Sequence, residues 1–373
     1  MIQIVADNIY SPLGFTTADN YAQVKQGHSV LRRYEEEMNL PEPFVASLFD
    51  WTKVEPVEGY TRFERICIQS VRRALQQTDV DVRSDKVLLI ISTTKGNIDL
   101  LDDATGHFTE ERLRMGMAAK RIADYFGIRT SPIVVSNACI SGLSAQITAM
   151  RILQGGTYET AIVVGADVQS RFIISGFQSL KALSPAACRP FDQERVGLNL
   201  GEAAATIILR KVETLVDGSW QAVRGAVRND ANHISNPSKT AEGCYRALRA
   251  VMEGESPDEL AFINVHGTST LYNDEMEAVA IARAGLQSVP LNSLKGYYGH
   301  TMGAAGVLET ILSMKAVDDG LVLATRGFEE SGVSRPVHLS SRHEKTDKRA
   351  FVKLLSGFGG CNAALLFRKG GKQ

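Results

Sequence analysis

Short uninterrupted apolar runs recur along the chain: Val87-Leu88-Leu89-Ile90-Ile91, Ile133-Val134-Val135, Ala161-Ile162-Val163-Val164, Thr206-Ile207-Ile208-Leu209 and Phe262-Ile263-Asn264-Val265. Runs this short and this rich in β-branched residues predict strands covered on both faces. Between them apolar positions return at intervals of three and four, as at Leu143, Ile147, Met150 and Leu153. That interval predicts helices with one buried stripe, and such stripes are read here as core. Strands alternating with helices predict a layered α/β fold.

The pattern also repeats. Cys139 is followed three residues later by Gly142, and His300 three residues later by Gly303, each opening a helical stretch. Past each helix an apolar run arrives, Ala161-Ile162-Val163-Val164 in one case and Leu321-Val322-Leu323-Ala324 in the other, so the two halves match without gaps at an offset of roughly 161 positions. Two similar halves packed face to face would bring both helix starts to one shared site. The polar stretch Glu213 to Ser219 is the expected boundary, giving halves 1–212 and 213–373 of a single domain without a linker.

With 373 residues, 44% hydrophobic and 22% charged, the chain has enough apolar material for two core-bearing units, and disorder is excluded. Its 41 Lys+Arg offset 42 Asp+Glu with no long run of one sign, which argues against a nucleic-acid or membrane-surface partner. Any patch that docks an acidic partner must then be local. Five cysteines, widely spaced and without a C-x-x-C pair, fit neither a disulfide framework nor a zinc site and suit a reducing cytoplasm. The chain opens on a strand-like Ile2-Gln3-Ile4-Val5 without a basic segment and long apolar run ahead of it, so no signal peptide is expected, and no apolar run reaches the roughly 18 residues of a membrane span.

Four local patterns carry candidate chemistry. In Ser136-Asn137-Ala138-Cys139-Ile140-Ser141-Gly142 a strand ends, the chain turns and a helix begins. A cysteine there meets the positive end of the helix, which is expected to lower its pKa and make it a nucleophile. Residue type alone favours an inert core cysteine, and Cys67, Cys188 and Cys244 are read as such. Asn264-Val265-His266-Gly267-Thr268-Ser269-Thr270, with Asp274 beyond it, puts a histidine at a strand's carboxyl end, where α/β proteins bind ligands. Alone, that histidine is equally well a hydrogen-bonded structural one. In Lys295 through Gly306, small residues surround His300 at a helix mouth and let backbones approach closely. Ser356-Gly357-Phe358-Gly359-Gly360-Cys361-Asn362 is a glycine-rich turn with no phosphate-loop spacing, suited to presenting a backbone N–H to an oxyanion.

Taken in order, these patterns resemble the elongating β-ketoacyl-acyl-carrier-protein synthases of the thiolase-like superfamily over nearly the whole chain. The resemblance rests on Ala138-Cys139-Ile140-Ser141-Gly142, Arg189-Pro190-Phe191-Asp192, His266-Gly267-Thr268-Ser269-Thr270, Lys295 through Gly306 and Gly357-Phe358-Gly359-Gly360. Five motifs in the family's order leave no room for coincidence. The resemblance implies a five-layered αβαβα fold of two pseudo-symmetric halves. It implies that Cys139 takes the acyl group, with the N–H groups of Cys139 and Phe358 as oxyanion hole, and that His266 and His300 bind the extender's thioester carbonyl as neutral N–H donors.

By the same resemblance Lys295 and Glu309 form a buried ion pair supporting His300, Thr268 and Thr270 bond the phosphopantetheine arm, Asp274 is structural, and Phe358 is a gate. No metal or cofactor of the protein's own is implied, because the arm belongs to an acyl carrier protein. The protein is expected to form a homodimer, or a heterodimer with a second ketosynthase-like subunit. Arg62 and Arg65 are the candidate carrier-docking residues. Ser356 stands where the family has phenylalanine, Cys361 where it has threonine and Leu271 where proline is common. The pathway stays open among fatty acid, polyketide and aryl-polyene or flexirubin-like biosynthesis; the chain is also shorter than typical members, which tilts the balance toward a specialised pathway. Two rivals stay open: a non-decarboxylating thiolase-type enzyme, for which Cys361 would be a second catalytic cysteine, and a non-catalytic chain-length-factor-type partner, against which Cys139 and both histidines argue.

Overall fold

The computed structural model describes residues 1–102 and 107–371. Its first half is built on β1 (Ile2–Tyr10), β4 (Val87–Ser92), β5 (Ile133–Val135), β6 (Thr160–Asp167) and β8 (Ala203–Lys211). A small ladder of β2 (Arg32–Tyr34), β3 (Phe44–Ser47) and β7 (Leu200–Gly201) flanks them. The second half is built on β9 (Trp220–Asn229), β10 (Leu260–Asn264), β11 (Pro290–Asn292), β13 (His338–Leu339), β15 (Ala350–Gly357) and β16 (Cys361–Lys369), with β12 (Leu321–Val322) and β14 (Glu344–Lys345) paired outside it.

Both halves use one ladder pattern. From β1 the order runs β8, β6, β4, β5, antiparallel twice and then parallel twice. From β9 it runs β16, β15, β10, β11, again antiparallel twice and parallel twice. The two half-sheets join where β1 pairs with β9 at Gln3 and Ile4, forming one eleven-stranded sheet.

The helices are α1 (Thr17–Lys25), α2 (Arg62–Leu75), α3 (Met115–Phe126), α4 (Ser141–Gly155), α5 (Arg171–Ser179), α6 (Glu242–Val251), α7 (Leu271–Arg283), α8 (Lys295–Tyr298) and α9 (Ala305–Asp318). Helices α4 and α9 pack on each other and on strands of both half-sheets, while α2 with α3, and α6 with α7, cover the outer faces. The layers are therefore αβαβα, the thiolase-like arrangement. From Ala305 to Val317 only Lys315 of α9 is not fully buried, as expected of a helix enclosed on every side. Each Leu, Ile or Val so buried contributes about 1.5–3 kcal/mol.

The point of closest approach is made by glycine. A Cβ on Gly142 would sit 2.8 Å from the Gly303 carbonyl oxygen and 3.0 Å from the Gly306 nitrogen, and one on Gly306 would run into the Leu143 nitrogen. The residues that marked the sequence repeat thus touch each other. In one respect the gapless repeat fails. The strand after α9 that corresponds to β6 is β15, not Leu321–Ala324: Leu321 and Val322 pair only with β14, and the chain makes a surface excursion before it re-enters the sheet.

Candidate active site

Strand β5 delivers the chain to a strained turn. Ala138 sits at φ 44°, a left-handed conformation that a non-glycine residue adopts only when its surroundings hold it there. Ser141 does the holding: its hydroxyl accepts from the Asn137 N–H at 2.8 Å and donates to the Ala138 carbonyl at 2.6 Å. Cys139 is thereby fixed ahead of α4, 7% exposed, with the backbone N–H of Phe358 acting on its thiol. Gly357 makes this possible, since a Cβ there would lie 3.0 Å from the Cys139 nitrogen.

The expected lowering of the Cys139 pKa is overturned. Burial pushes the thiol up, to about 11, against the opposing pull of Lys295 and of the Phe358 N–H. The physical reason is depth: burial of the sulfur dominates, and the amides of Ile140 and Ser141, which bond the carbonyls of Asn137 and Ala138, do not offset it.

His266 follows β10 in a loop that two carboxylates of α7 organise. Glu277 accepts the N–H groups of His266 and Gly267, and Asp274 those of Thr268, Ser269 and Phe191. Burial pushes Asp274 up to about 6 in spite of those donors. His300 is held from the other half of the protein, its N–H donating to the Asn199 carbonyl at 2.7 Å and its own carbonyl accepting from Gly201 at 3.0 Å.

The His300 Nδ1 accepts the N–H of Met302 at 3.2 Å, which leaves the ring proton on Nε2, buried and without a protein partner. The Nδ1 of His266 is likewise buried and unpartnered. The two rings stand 4.9 Å apart, nearly perpendicular, and the Cys139 sulfur and one nitrogen of each ring all lie within 4.8 Å of one another. Burial first, then the charge of Lys295 and a second lysine, Lys353, holds both imidazoles well below the usual histidine pKa. They are neutral donors at pH 7. Among the described residues these same three side chains are the group close enough to hold a metal ion, but a protonated Nε2 on His300 is a donor and not a ligand.

Behind the rings lies a chain of three buried charges. Lys295 Nζ is 2.8 Å from one oxygen of Glu309, and Lys353 Nζ is 2.7 Å from the other. Burial alone would raise the Glu309 pKa, but the two ammonium groups reverse this and hold it below the ordinary value. In front lies a cavity of about 230 Å³ lined by Cys139, both histidines, Thr268, Thr270 and Phe358. The hydroxyls of Thr268 and Thr270 are 2.9 Å apart. Phe358 stacks on Phe177, and Ser356 bonds Asn362 instead of filling space as an aromatic would.

Arg62 and Arg65 do not line this cavity. Arg62 is exposed and stacked on Trp51, whereas Arg65 is half-buried, its guanidinium pKa lowered by burial and by Arg62. Residue patterns had missed Lys353 and Glu277. The signals were there: a lone charge inside the apolar strand Ala350–Leu355, and an acid one helical turn beyond Asp274.

Residues 3–214 match the family described as beta-ketoacyl synthase, N-terminal domain, and residues 222–329 its C-terminal domain. The 3-oxoacyl-[acyl-carrier-protein] synthase 2 of Vibrio cholerae is 28% identical over 80% of this chain and 80% of its own. A putative mitochondrial 3-oxoacyl-[acyl-carrier-protein] synthase of Schizosaccharomyces pombe is 25% identical over 96% of each. Among solved structures, a ketosynthase in complex with its chain length factor from Xenorhabdus doucetiae superposes with a TM-score of 0.87 at 25% identity, covering 99% of this chain and 98% of that one. A beta-ketoacyl synthase from Burkholderia phymatum, 23% identical and covering 99% of both chains, has the same fold with a TM-score of 0.87. With both halves matched in order and more than half of its length covered by the N-terminal model alone, this chain belongs to the beta-ketoacyl synthase family.

Proposed function

We propose that the protein is a 3-oxoacyl-[acyl-carrier-protein] synthase, an acyltransferase that loads an acyl chain on Cys139 and condenses it with a malonyl unit as carbon dioxide is lost. The observation that carries this reading is the convergence of one thiol and two neutral imidazoles within 4.8 Å, one of them with its N–H unclaimed.

Cys139 rests as a thiol, and His266, held uncharged and with its Nδ1 unclaimed, is the base beside it. Once its proton leaves, the sulfur attacks the donor thioester carbonyl. The N–H groups of Cys139 and Phe358 hold the oxyanion until the carrier's thiolate departs and takes a proton. In the second half-reaction the carbon–carboxylate bond of the malonyl thioester breaks, carbon dioxide leaves, and the electron pair moves onto the thioester oxygen between His266 and His300. The enolate carbon then attacks the acyl-Cys139 carbonyl, a carbon–carbon bond forms, and the Cys139 thiolate is released. Donors fixed where charge develops are the largest source of such catalysis, and covalent capture splits one difficult encounter into two simpler ones.

An acyl carrier protein brings both substrates, its phosphopantetheine arm passing Thr268 and Thr270. A homodimer or a pair with a second ketosynthase-like chain completes the assembly. The complex of the Xenorhabdus doucetiae neighbour supports the second arrangement. Cytoplasm is the proposed location; no helix among the described residues is long and apolar enough to cross a membrane. The test is intact-mass and peptide mapping after incubation with acyl-carrier thioester, run beside carbon dioxide release from malonyl-carrier protein. Acyl mass on Cys139 with release of carbon dioxide is expected. Acyl mass on Cys361, which lies against the same turn, without release would favour a thiolase-type enzyme.

A further inference from the structure

Lys353 lies in the middle of β15, 0% exposed, between Val352 and Leu354. A buried ammonium is costly unless its protons are bonded and its charge is paired. Here three carbonyls accept from it, those of Leu354 at 2.9 Å, Asn264 at 3.3 Å and Val265 at 3.4 Å, and Glu309 lies 2.7 Å away as its ion-pair partner. Two of these carbonyls belong to the strand end immediately before His266. Stability does not explain the group, because Glu309 already has Lys295, and apolar residues of similar size usually serve as well as a buried ion pair.

We infer that Lys353 is a positioning residue for the decarboxylating half of the site, fixing the strand end that carries His266 and adding a second positive charge behind the two imidazoles. The inference rests on the proposed reaction. With Glu309 between them, Lys295 and Lys353 leave one net positive charge in a low-dielectric interior, where an enolate oxygen facing the rings is stabilised by it.

The other charges around the rings are placed differently. Glu277, which burial pushes up to about 7 and which also bears on Lys353, accepts the N–H groups of His266 and Gly267, while Asp274 serves the same loop and Asp167 the Gly303 N–H and Thr93 hydroxyl. Cys139 approaches from α4, and Lys295, which acts on it as well as on both rings, from α8. Lys353 bears on the two histidines. Its own pKa is pushed down by burial to about 8, against the pull of Glu309, so it keeps its charge at neutral pH.

The experiment compares Lys353→Met, Lys353→Gln and Lys353→Arg in the full-length protein, reading carbon dioxide release from malonyl-carrier protein across pH and acylation of Cys139 by intact mass. Removing a nearby positive charge raises a histidine pKa, so neutral imidazole is lost at higher pH than in the wild type. The acid limb of decarboxylation in the Met and Gln variants should therefore move up by about one pH unit. Release at pH 7 should fall about tenfold, less than the loss expected for a direct donor. Acylation should be unchanged, and Lys353→Arg should restore the wild-type limb.

An unmoved limb in folded Met or Gln variants, or equal loss of acylation, would overturn the inference. So would failure of both neutral variants to fold, which would assign Lys353 to the core alone. Should the wild type itself release no carbon dioxide, it is the proposed reaction that fails, and the comparison of variants separates the two outcomes.

Discussion

The two helix starts that meet at the site share a backbone and differ in what surrounds it. At α4 the strained Ala138 turn presents Cys139, and the groups that serve it are backbone amides and the Ser141 hydroxyl. At α9 the chain presents His300, and behind it stand Lys295, Glu309 and Lys353. In the proposed reaction the first half supplies the attachment point and one amide, at Cys139, and the second supplies the other amide, at Phe358. The second also supplies charge. The contrast teaches that a repeat can fix where groups meet while leaving each half free to specialise, and that the two half-reactions should come apart under mutation.

Cys139→Ala should abolish condensation, a loss of at least about four orders of magnitude as for other nucleophiles, while leaving the melting temperature nearly unchanged. Steady-state product assay and a thermal melt check this together. His300→Ala should reduce carbon dioxide release by about 10²–10³ and still accumulate acyl-Cys139 by intact mass. A wild-type rate of release in this variant would break the assignment of charge to the second half.

The resting state of the first half can be read from alkylation by iodoacetamide. Because the folded pKa of Cys139 is raised to about 11, its reactive thiolate is scarce at neutral pH and its rate should climb about a hundredfold from pH 8 to pH 10, where a free thiol of pKa about 8.5 has levelled off. A plateau below pH 9 would mean that the helix start outweighs burial after all. Gly306→Ala should slow both half-reactions together, roughly tenfold, by pushing the helix starts apart. It should also lower stability by about 1–3 kcal/mol in a denaturant melt. A loss confined to one half-reaction would show that the contact serves only one side. Smallest of all, reversing Arg62 and Arg65 to glutamate should raise KM for carrier-bound substrate about threefold, as rim charges do, and leave a small thioester mimic unaffected.

Much of this was legible before the structure. The layered fold follows from the apolar runs, and the meeting of Gly142 with Gly303 and Gly306 follows from the repeat, because both are consequences of spacing. The corresponding strand after α9 was misplaced because Leu321–Ala324 has a strand's composition, and composition does not say whether a strand joins the sheet. The Cys139 pKa was misjudged because local sequence shows a helix start but not the depth at which it is buried. Lys353 escaped notice for a related reason. Its partners, Glu309, Asn264 and Val265, come from two other elements, and nothing in the spacing of Ala350–Leu355 points to them.

The glycine-rich turn after β15 is not free to act alone. The Gly359 N–H bonds the Ile234 carbonyl at 2.6 Å and the Asp230 N–H bonds the Gly360 carbonyl at 2.8 Å, while the Phe358 N–H acts on the Cys139 thiol. The segment from Asp230 to Pro237 also lines the outer cavity. Through these bonds the turn that carries Phe358 and the Asp230–Pro237 wall of the cavity form one hydrogen-bonded unit beside Cys139.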